Sequence, residues 1–308
     1  VTTISVQVVG IDDGVPGIRT LTLARPDRAP LPPFTPGSHI VIEYDGGANA
    51  YSLTGDTTAP REYVVSVLEC PDGRGGSRWI HALSLGDALE IRAPRSAFAP
   101  VLGARRHLLI AAGIGITPMV SHLRSARRWG RDAQLLYIHR EGRGAYVEDI
   151  KSLTDNARFF TERSAFLAEL TATLGDSPLG THAYICGPAT FIDDVVNAAA
   201  ELGWPPSRIH VEHFGGDLAP GEPFEAELIS SGTTFVVDSG VSLLEALEAH
   251  GVAVPSMCRQ GVCGECRVAV RSGLLLHRDL YLSEAEKEAG DAMMACVSRA
   301  HGRLEVDL

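Results

Sequence analysis

The residues best equipped for chemistry are cysteines. The chain has six, and Cys258, Cys263, Cys266 and Cys296 fall within its last 51 residues. They are spaced C-x4-C-x2-C, with the fourth after a further 29 residues. This is the plant-type pattern for a 2Fe–2S cluster, in which each iron takes two thiolates. One loop supplies three and a distant strand the fourth. Gly261 and Gly264 punctuate the loop, and glycine lets backbone N–H groups approach inorganic sulfide closely. A four-cysteine zinc site favours two separated C-x2-C pairs, which the chain lacks. Free buried thiols are the remaining alternative.

Three further stretches suit an anionic cofactor. Ala111-Ala112-Gly113-Ile114-Gly115-Ile116-Thr117-Pro118-Met119 follows a strand-like run and opens a helix-like one. Backbone N–H groups at a helix start can hold an anion. The stretch is close to a dinucleotide fingerprint, but Pro118 stands where the third glycine belongs. Pro118 is expected at the first helical position with Thr117 as N-cap; a plain strand–helix turn would read alike. Tyr184-Ile185-Cys186-Gly187-Pro188 repeats the device at another strand end, and ligands gather at the carboxyl ends of parallel strands. A buried core cysteine is the plainer reading of Cys186. The last stretch is Ala50-Tyr51-Ser52-Leu53 with Gly73-Arg74-Gly75-Gly76-Ser77 downstream. Its glycines can receive a phosphate or simply turn a hairpin.

The elements that must position these residues fall into three textures. Residues 1–102 alternate in short apolar runs (Ile4–Val9, Ile18–Leu23, Ile40–Tyr44, Tyr63–Leu68, Ala88–Ile91) separated by turn residues, which predicts a barrel or sandwich. Residues 103–216 alternate strand and helix: Leu108–Ala112, a helix through Arg128, Gln134–His139, Ala183–Cys186, a helix over Ala189–Leu202, and Ile209–His213. That alternation predicts a parallel sheet. Asp217–Pro223 reads as a linker. Beyond it, Phe224–Ile229 and Thr233–Val237 predict a hairpin. Ser242-Leu243-Leu244-Glu245 is a capping box opening a helix that Gly251 ends.

Composition narrows the class. Hydrophobic residues make up 45% and charged residues 21%, the profile of a folded chain. The most apolar run, His107–Val120, is broken by Gly113, Gly115 and Pro118 and is short of the ~20 residues of a membrane span. No basic segment leads into an apolar one at the start, so no export is expected. Net charge is −11, which argues against nucleic acid as a partner. Residues 225–308 hold 7 basic and 13 acidic side chains. That excess suits either solubility or docking on a basic partner. Two lysines beside 25 arginines suggest a GC-rich bacterial genome, and the expected location is the bacterial cytoplasm.

The motifs come in one order along the whole chain. That order, with Glu212-His213-Phe214-Gly215 and His277-Arg278-Asp279, resembles the phthalate dioxygenase reductase family of the ferredoxin–NADP reductase superfamily. The resemblance implies a multidomain protein. Residues 1–102 would form an antiparallel β-barrel flavin domain and residues 103–216 an α/β parallel-sheet nucleotide domain. A linker at 217–223 would lead to an α+β β-grasp ferredoxin domain at 224–308. It implies FMN, NADH and a 2Fe–2S cluster as cofactors, with Cys258, Cys263, Cys266 and Cys296 as ligands. By position, Asn49, Tyr51, Ser52, Leu53, Gly75, Gly76 and Ser77 should bind the flavin. Of these, Tyr51 should pack on the ring, Ser52 should lie near N5, and Gly75, Gly76 and Ser77 should hold the phosphate. Gly113, Gly115, Thr117, Pro118, Gly187 and Pro188 should line the nucleotide cleft. Ser52, Thr117, Cys186 and Phe214 are the expected reaction residues, with Cys186 near the nicotinamide and Phe214 shielding the flavin. One position departs from the family: Asn49 stands where an Arg usually pairs with the flavin phosphate, and Asn brings no charge.

The function so implied is an NADH-dependent oxidoreductase delivering electrons through FMN and the cluster to a terminal oxygenase. A Rieske non-haem iron enzyme is the first expectation for that partner. The alternatives are an FAD/NADPH enzyme serving a haem monooxygenase, with Arg140 placed to meet a 2′-phosphate, and a cluster-bearing redox sensor without turnover. A zinc-binding interaction module is a third. A monomer is expected, with no membrane contact.

Overall fold

The computed structural model describes residues 3–44, 47–71, 75–96, 98–214, 221–256, 261, 263–279 and 281–308. Cys258, Gly73 and Arg74 of the expected sites lie outside the described residues, as does most of the linker. The chain forms two compact units, residues 1–46 with 51–214, and residues 215–308 with the short segment 47–50.

The chain opens with β1 (Thr3–Val15), β2 (Ile18–Ala24), β3 (His39–Tyr44), β4 (Gly47–Ser52, whose first four residues group with the second unit), β5 (Glu62–Leu68), α1 (Gly76–Ala82) and β6 (Ala88–Arg92). The strands form one sheet in the order β4-β3-β6-β1-β2-β5. The pairings described within it are antiparallel. An isolated antiparallel bridge joins Leu53, just past β4, to Val65 of β5. Alternation puts Val6, Val8, Leu21, Leu23, Ile40, Ile42, Val65 and Ile91 in one buried cluster, the period-2 signature of a sheet with one apolar face. β1 runs past the expected Val9 because register shifts at Val8/Gly10 and Asp12/Val15 carry it through its polar residues as bulges.

The first unit continues with β7 (Arg106–Ala112), α2 (Ile116–Trp129), β8 (Ala133–Ile138), α3 (Val147–Leu153), β9 (Ala157–Phe160), α4 (Arg163–Asp176), β10 (Thr181–Gly187), α5 (Ala189–Glu201) and β11 (Ile209–His213). All five strands are parallel, in the order β11-β10-β7-β8-β9. Both faces are covered: α2 and α3 pack with Leu109, Ala111, Tyr137, Tyr184 and Cys186, and α4 and α5 with Leu108, Ile110, Ala183 and Ile185. Strands buried on both faces read as continuous apolar runs, which is why β7 and β10 stand out in the sequence. α4 does not. Its buried residues Phe166, Leu170, Thr173 and Leu174 have helical spacing, but the partly exposed Leu167 interrupts the stripe.

The second unit holds β12 (Phe224–Leu228), β13 (Thr233–Val237), α6 (Leu243–Ala249), β14 (Arg267–Leu276), α7 (Glu284–Ala289), β15 (Ala292–Met294) and β16 (Arg299–Val306). The strand order is β13-β12-β16-β14-β15, with β12 and β16 parallel. The Ser242–Glu245 capping box is present in full, and Ser283–Glu286 forms a second. Arg299 is fully buried. Its guanidinium donates to the carbonyls of Val241, Asp238 and Glu222 and covers the Phe224 ring. A Cβ on Gly221 would lie 2.5 Å from Arg299 Nε, so the chain entering this unit needs glycine there. Among the described residues no helix is long and apolar enough to cross a membrane.

Candidate functional site

β7 and β10 are neighbours, and their following helices leave to opposite faces: α2 packs on one side and α5 on the other. That is the topological switch point of the parallel sheet, where a crevice opens at the strand ends. Both expected glycine motifs stand at it. After β7, Gly113 takes φ +55° and Gly113–Gly115 form a tight 3₁₀ turn. A Cβ on Gly115 would lie 2.3 Å from the Cys186 carbonyl oxygen, so this loop can touch the end of β10 only as glycine. After β10, a Cβ on Gly187 would press within 2.9 Å of both Phe191 and Ala112. Pro188 caps α5 as expected.

Thr117 is a correction. It does not cap α2: the helix starts one residue earlier, at Ile116, with Gly115 at the cap position. The Thr117 hydroxyl instead donates to the Ile114 carbonyl at 3.0 Å, and Pro118 sits within the first turn. The 3₁₀ turn supplies the start that a side-chain cap would otherwise provide.

Three polar groups meet beside this crevice. Cys186 of β10 pairs in register with Glu212 of β11, and both side chains are buried. Burial, with the Glu212 carboxyl beside it, pushes the Cys186 thiol well up, so it is a neutral thiol. Burial likewise raises Glu212 to about 8, while the Ser52 hydroxyl at the end of β4 pulls the other way. Neither Ser52 Oγ nor Glu212 Oε2 completes a hydrogen bond within the protein. Two buried, unsatisfied polar atoms at a strand-end crevice fit a polar ligand edge, because such atoms are costly when left alone. Glu212 was not among the residues expected to act. Its signal was a carboxylate in an otherwise strand-like run, Ile209–His213, whose burial only the fold reveals.

The other residues expected to bind flavin lie on β4, just past it, and at the start of α1. Tyr51 is half-buried against the β-sheet core and Leu53 is wholly in it. Asn49 lies on β4, half-buried. Gly75 takes φ +100° and Gly76 begins α1. The Ser77 hydroxyl is engaged by the Cys70 backbone, accepting its N–H at 3.0 Å. Phe214 follows β11 and is 39% exposed.

In the second unit, Cys263, Cys266 and Cys296 are buried. Cys296 hydrogen-bonds Cys266 and lowers its thiol. Glycine shapes their loop by close packing: Gly261 (φ +70°) lies against Val297 and Asp279, and Gly264 (φ +86°) against the Tyr281 ring, where a Cβ would stand 2.3 Å away. Asp279, fully buried, accepts the N–H groups of Tyr281 and Leu282 and the Ser298 hydroxyl. Asp279 therefore holds Tyr281, and Tyr281 backs the loop. Three buried thiols, beside glycines where a Cβ would clash, fit a thiolate-held cluster.

Residues 227–301 match the 2Fe-2S iron-sulfur cluster binding domain, and residues 88–209 match the N-terminal domain of dimethylamine monooxygenase subunit DmmA-like proteins. A phthalate dioxygenase reductase from Burkholderia cepacia is 36% identical over 299 residues, covering 92% of this chain and 90% of that protein. A solved phthalate dioxygenase reductase superposes with a TM-score of 0.71 and 32% identity, over 99% of this chain and 98% of its own. The chain belongs to the phthalate dioxygenase reductase-like family. This chain is an oxidoreductase with a 2Fe–2S domain and the family's flavin- and nucleotide-binding fold. Within the family, the heme-dependent oxidative N-demethylase beta subunit of Ectopseudomonas mendocina is 39% identical over 305 residues, 98% of this chain and 97% of that one.

Proposed function

We propose that the chain is an NADH-dependent reductase that passes electrons through FMN and a 2Fe–2S cluster to a terminal oxygenase. Three modules would carry one cofactor each: a flavin barrel at 1–102, a nucleotide domain at 103–216 and, after a linker at 217–223, a ferredoxin domain at 224–308. The observation that carries the reading is the junction of Ser52, Cys186 and Glu212 at the switch-point crevice, in a chain that also buries three cluster-spaced cysteines. Bound nicotinamide and flavin would supply hydride transfer, and the cluster single-electron transfer.

The chain's own residues position and insulate. The glycine turn after β7 and the Gly187–Pro188 turn leave the nucleotide cleft open at the strand ends. Cys186, neutral and buried, keeps that end apolar and dry. Glu212 keeps its proton at neutral pH, so it offers a donor without adding charge. Ser52 offers its hydroxyl to the ring edge of a bound flavin. Ser52→Ala is expected to slow flavin reduction by NADH about a hundredfold, the size of losing one preorganised donor, with the cluster spectrum unchanged. Anaerobic rapid mixing with NADH measures this. An unaltered rate removes Ser52 from the reaction, and a wild-type flavin that NADH leaves oxidised overturns the reductase reading.

The flavin is read as FMN although Asn49 supplies no charge to its phosphate. Denaturing the holoprotein and weighing the released flavin is expected to return the mass of FMN; FAD would overturn that assignment. For the oxygenase, a Rieske iron partner is the first reading, in line with the phthalate dioxygenase reductase relatives. A haem partner is the second, favoured by the similarity to the N-demethylase beta subunit.

A further inference from the structure

Tyr146 breaks two local rules at once. It sits at the N-cap of α3, where Ser, Thr, Asp or Asn is preferred. Its backbone is left-handed, φ +62°, a region tyrosine rarely enters. Nothing local to α3 rewards the choice, since its side chain makes no cap hydrogen bond. A position that defies its own helix is held by something farther away.

Its hydroxyl supplies that reason. Tyr146 Oη lies 3.0 Å from Thr54 Oγ1 and 2.5 Å from Ser66 Oγ, and Ser66 Oγ lies 2.6 Å from Thr20 Oγ1. Thr54 spends its own proton on the Val64 carbonyl, at 3.2 Å. Each hydroxyl has one proton, so that terminal acceptor sets the direction of the chain. Thr20 donates to Ser66, Ser66 to Tyr146, Tyr146 to Thr54, and Thr54 to the Val64 carbonyl. The opposite sense would leave the Tyr146–Thr54 contact without a hydrogen. Thr54 and Ser66 are buried, so a missing link is not replaced freely by water.

The chain spans the two sheets of the first unit. Thr20, Thr54, Val64 and Ser66 belong to the antiparallel part, and Tyr146 to the loop between β8 and α3. Arg124 of α2 adds a second tie, donating Nε–H to the Thr54 carbonyl at 2.9 Å. Thr54 is therefore gripped from the nucleotide side through both hydroxyl and carbonyl. It lies two residues beyond Ser52.

We propose that Tyr146 is a positioning residue that sets the distance and angle between the Ser52 segment and the nucleotide crevice, through the hydroxyl chain it completes with Thr54 and Ser66. The inference rests on the reductase reading above. Hydride transfer needs near contact, and displacements of about 1 Å cost up to ~10²-fold in rate. Tyr146→Phe keeps the ring and removes the central link.

The test uses the full-length holoprotein and anaerobic rapid mixing with NADH and C4-deuterated NADH. Tyr146→Phe is expected to retain its flavin and its cluster spectrum. Its flavin reduction at saturating NADH should slow at least tenfold, with less than a threefold change in half-saturating NADH and a larger deuterium isotope effect. Thr54→Val should match it, and Thr54→Ser, which keeps the hydroxyl, should restore the rate. If Tyr146→Phe fails to fold, the Thr54 pair decides alone. Wild-type rates in Tyr146→Phe or Thr54→Val overturn the proposal while the reductase reading stands. So does a slowing explained by lost flavin, or a Thr54→Ser protein as slow as Thr54→Val. A wild-type protein whose flavin NADH does not reduce overturns the reductase reading and, with it, this inference.

Discussion

Replacing Cys263 by Ser is expected to abolish the visible absorbance of the cluster and all electron delivery to the oxygenase, while ferricyanide reduction through the flavin continues. A serine oxygen is a poor substitute for a thiolate on iron. A side chain at Gly261 or Gly264 would clash with Val297, Asp279 or Tyr281, and Tyr281 is tied to buried Asp279, so the surroundings leave little room for a shifted replacement ligand. Ser52 and Glu212, which the proposal places at the flavin–nucleotide crevice, belong to the other compact unit, so their chemistry should survive. Absorbance and cytochrome or ferricyanide assays on one preparation separate the two outcomes. Retained cluster absorbance would remove Cys263 from the ligand set.

Acid should destabilise the first unit well before it protonates the ordinary carboxylates. His39, His107, His122, His182 and His210 are all held below the ordinary imidazole range, in each case chiefly by burial. His39 falls to about 4, with Arg95 adding to the effect, and His122 to about 3. The His122 Nε2–H donates to the Phe98 carbonyl at 2.9 Å, which sets the neutral tautomer, and its Nδ1 has no partner. A histidine depressed in the fold is protonated first in the unfolded chain. Its contribution is therefore complete above about pH 7 and is lost as pH falls through 6.5 toward the folded value. Between pH 7.5 and pH 5, His39 and His122 should each cost about 2 kcal/mol, at ~1.4 kcal/mol per unit. Glu212 works in the opposite sense: its raised value favours the fold in acid and is lost as pH climbs from 4.5 through 8. Trp79, Trp129 and Trp204 all lie in the first unit, so tryptophan fluorescence in urea titrations reports that unit alone. His122→Gln should reduce the loss of stability between pH 7.5 and pH 5 by about 2 kcal/mol, its own share. A His122→Gln protein with the same pH dependence as wild type would show that burial does not hold this ring neutral.

Much was legible because it is local. Cysteine spacing needs no tertiary knowledge, since three ligands share one short loop. Gly113, Gly115 and Gly187 could be read because a strand–turn–helix needs a left-handed backbone at the first and close packing at the other two, both of which favour glycine. β7 and β10 showed as apolar runs because both of their faces are covered. The order of the motifs along the chain carried the family.

Other features depend on which segments meet. Glu212 looks like any strand-end carboxylate, and only its burial in the fold, against the opposing pull of the Ser52 hydroxyl, makes it a proton-bearing group. Thr117 reads as a cap, yet the 3₁₀ turn before it takes that role and turns its hydroxyl onto Ile114. Tyr146 carries no signal in the sequence; its partners are Thr54 and Ser66, 92 and 80 residues away. By itself the sequence determined the cofactor-bearing motifs and their order, because each is a short-range pattern of residue type and backbone freedom. Only the tertiary structure decided which polar groups are buried together, because desolvation and hydrogen-bond direction are properties of packed neighbours rather than of neighbours in sequence.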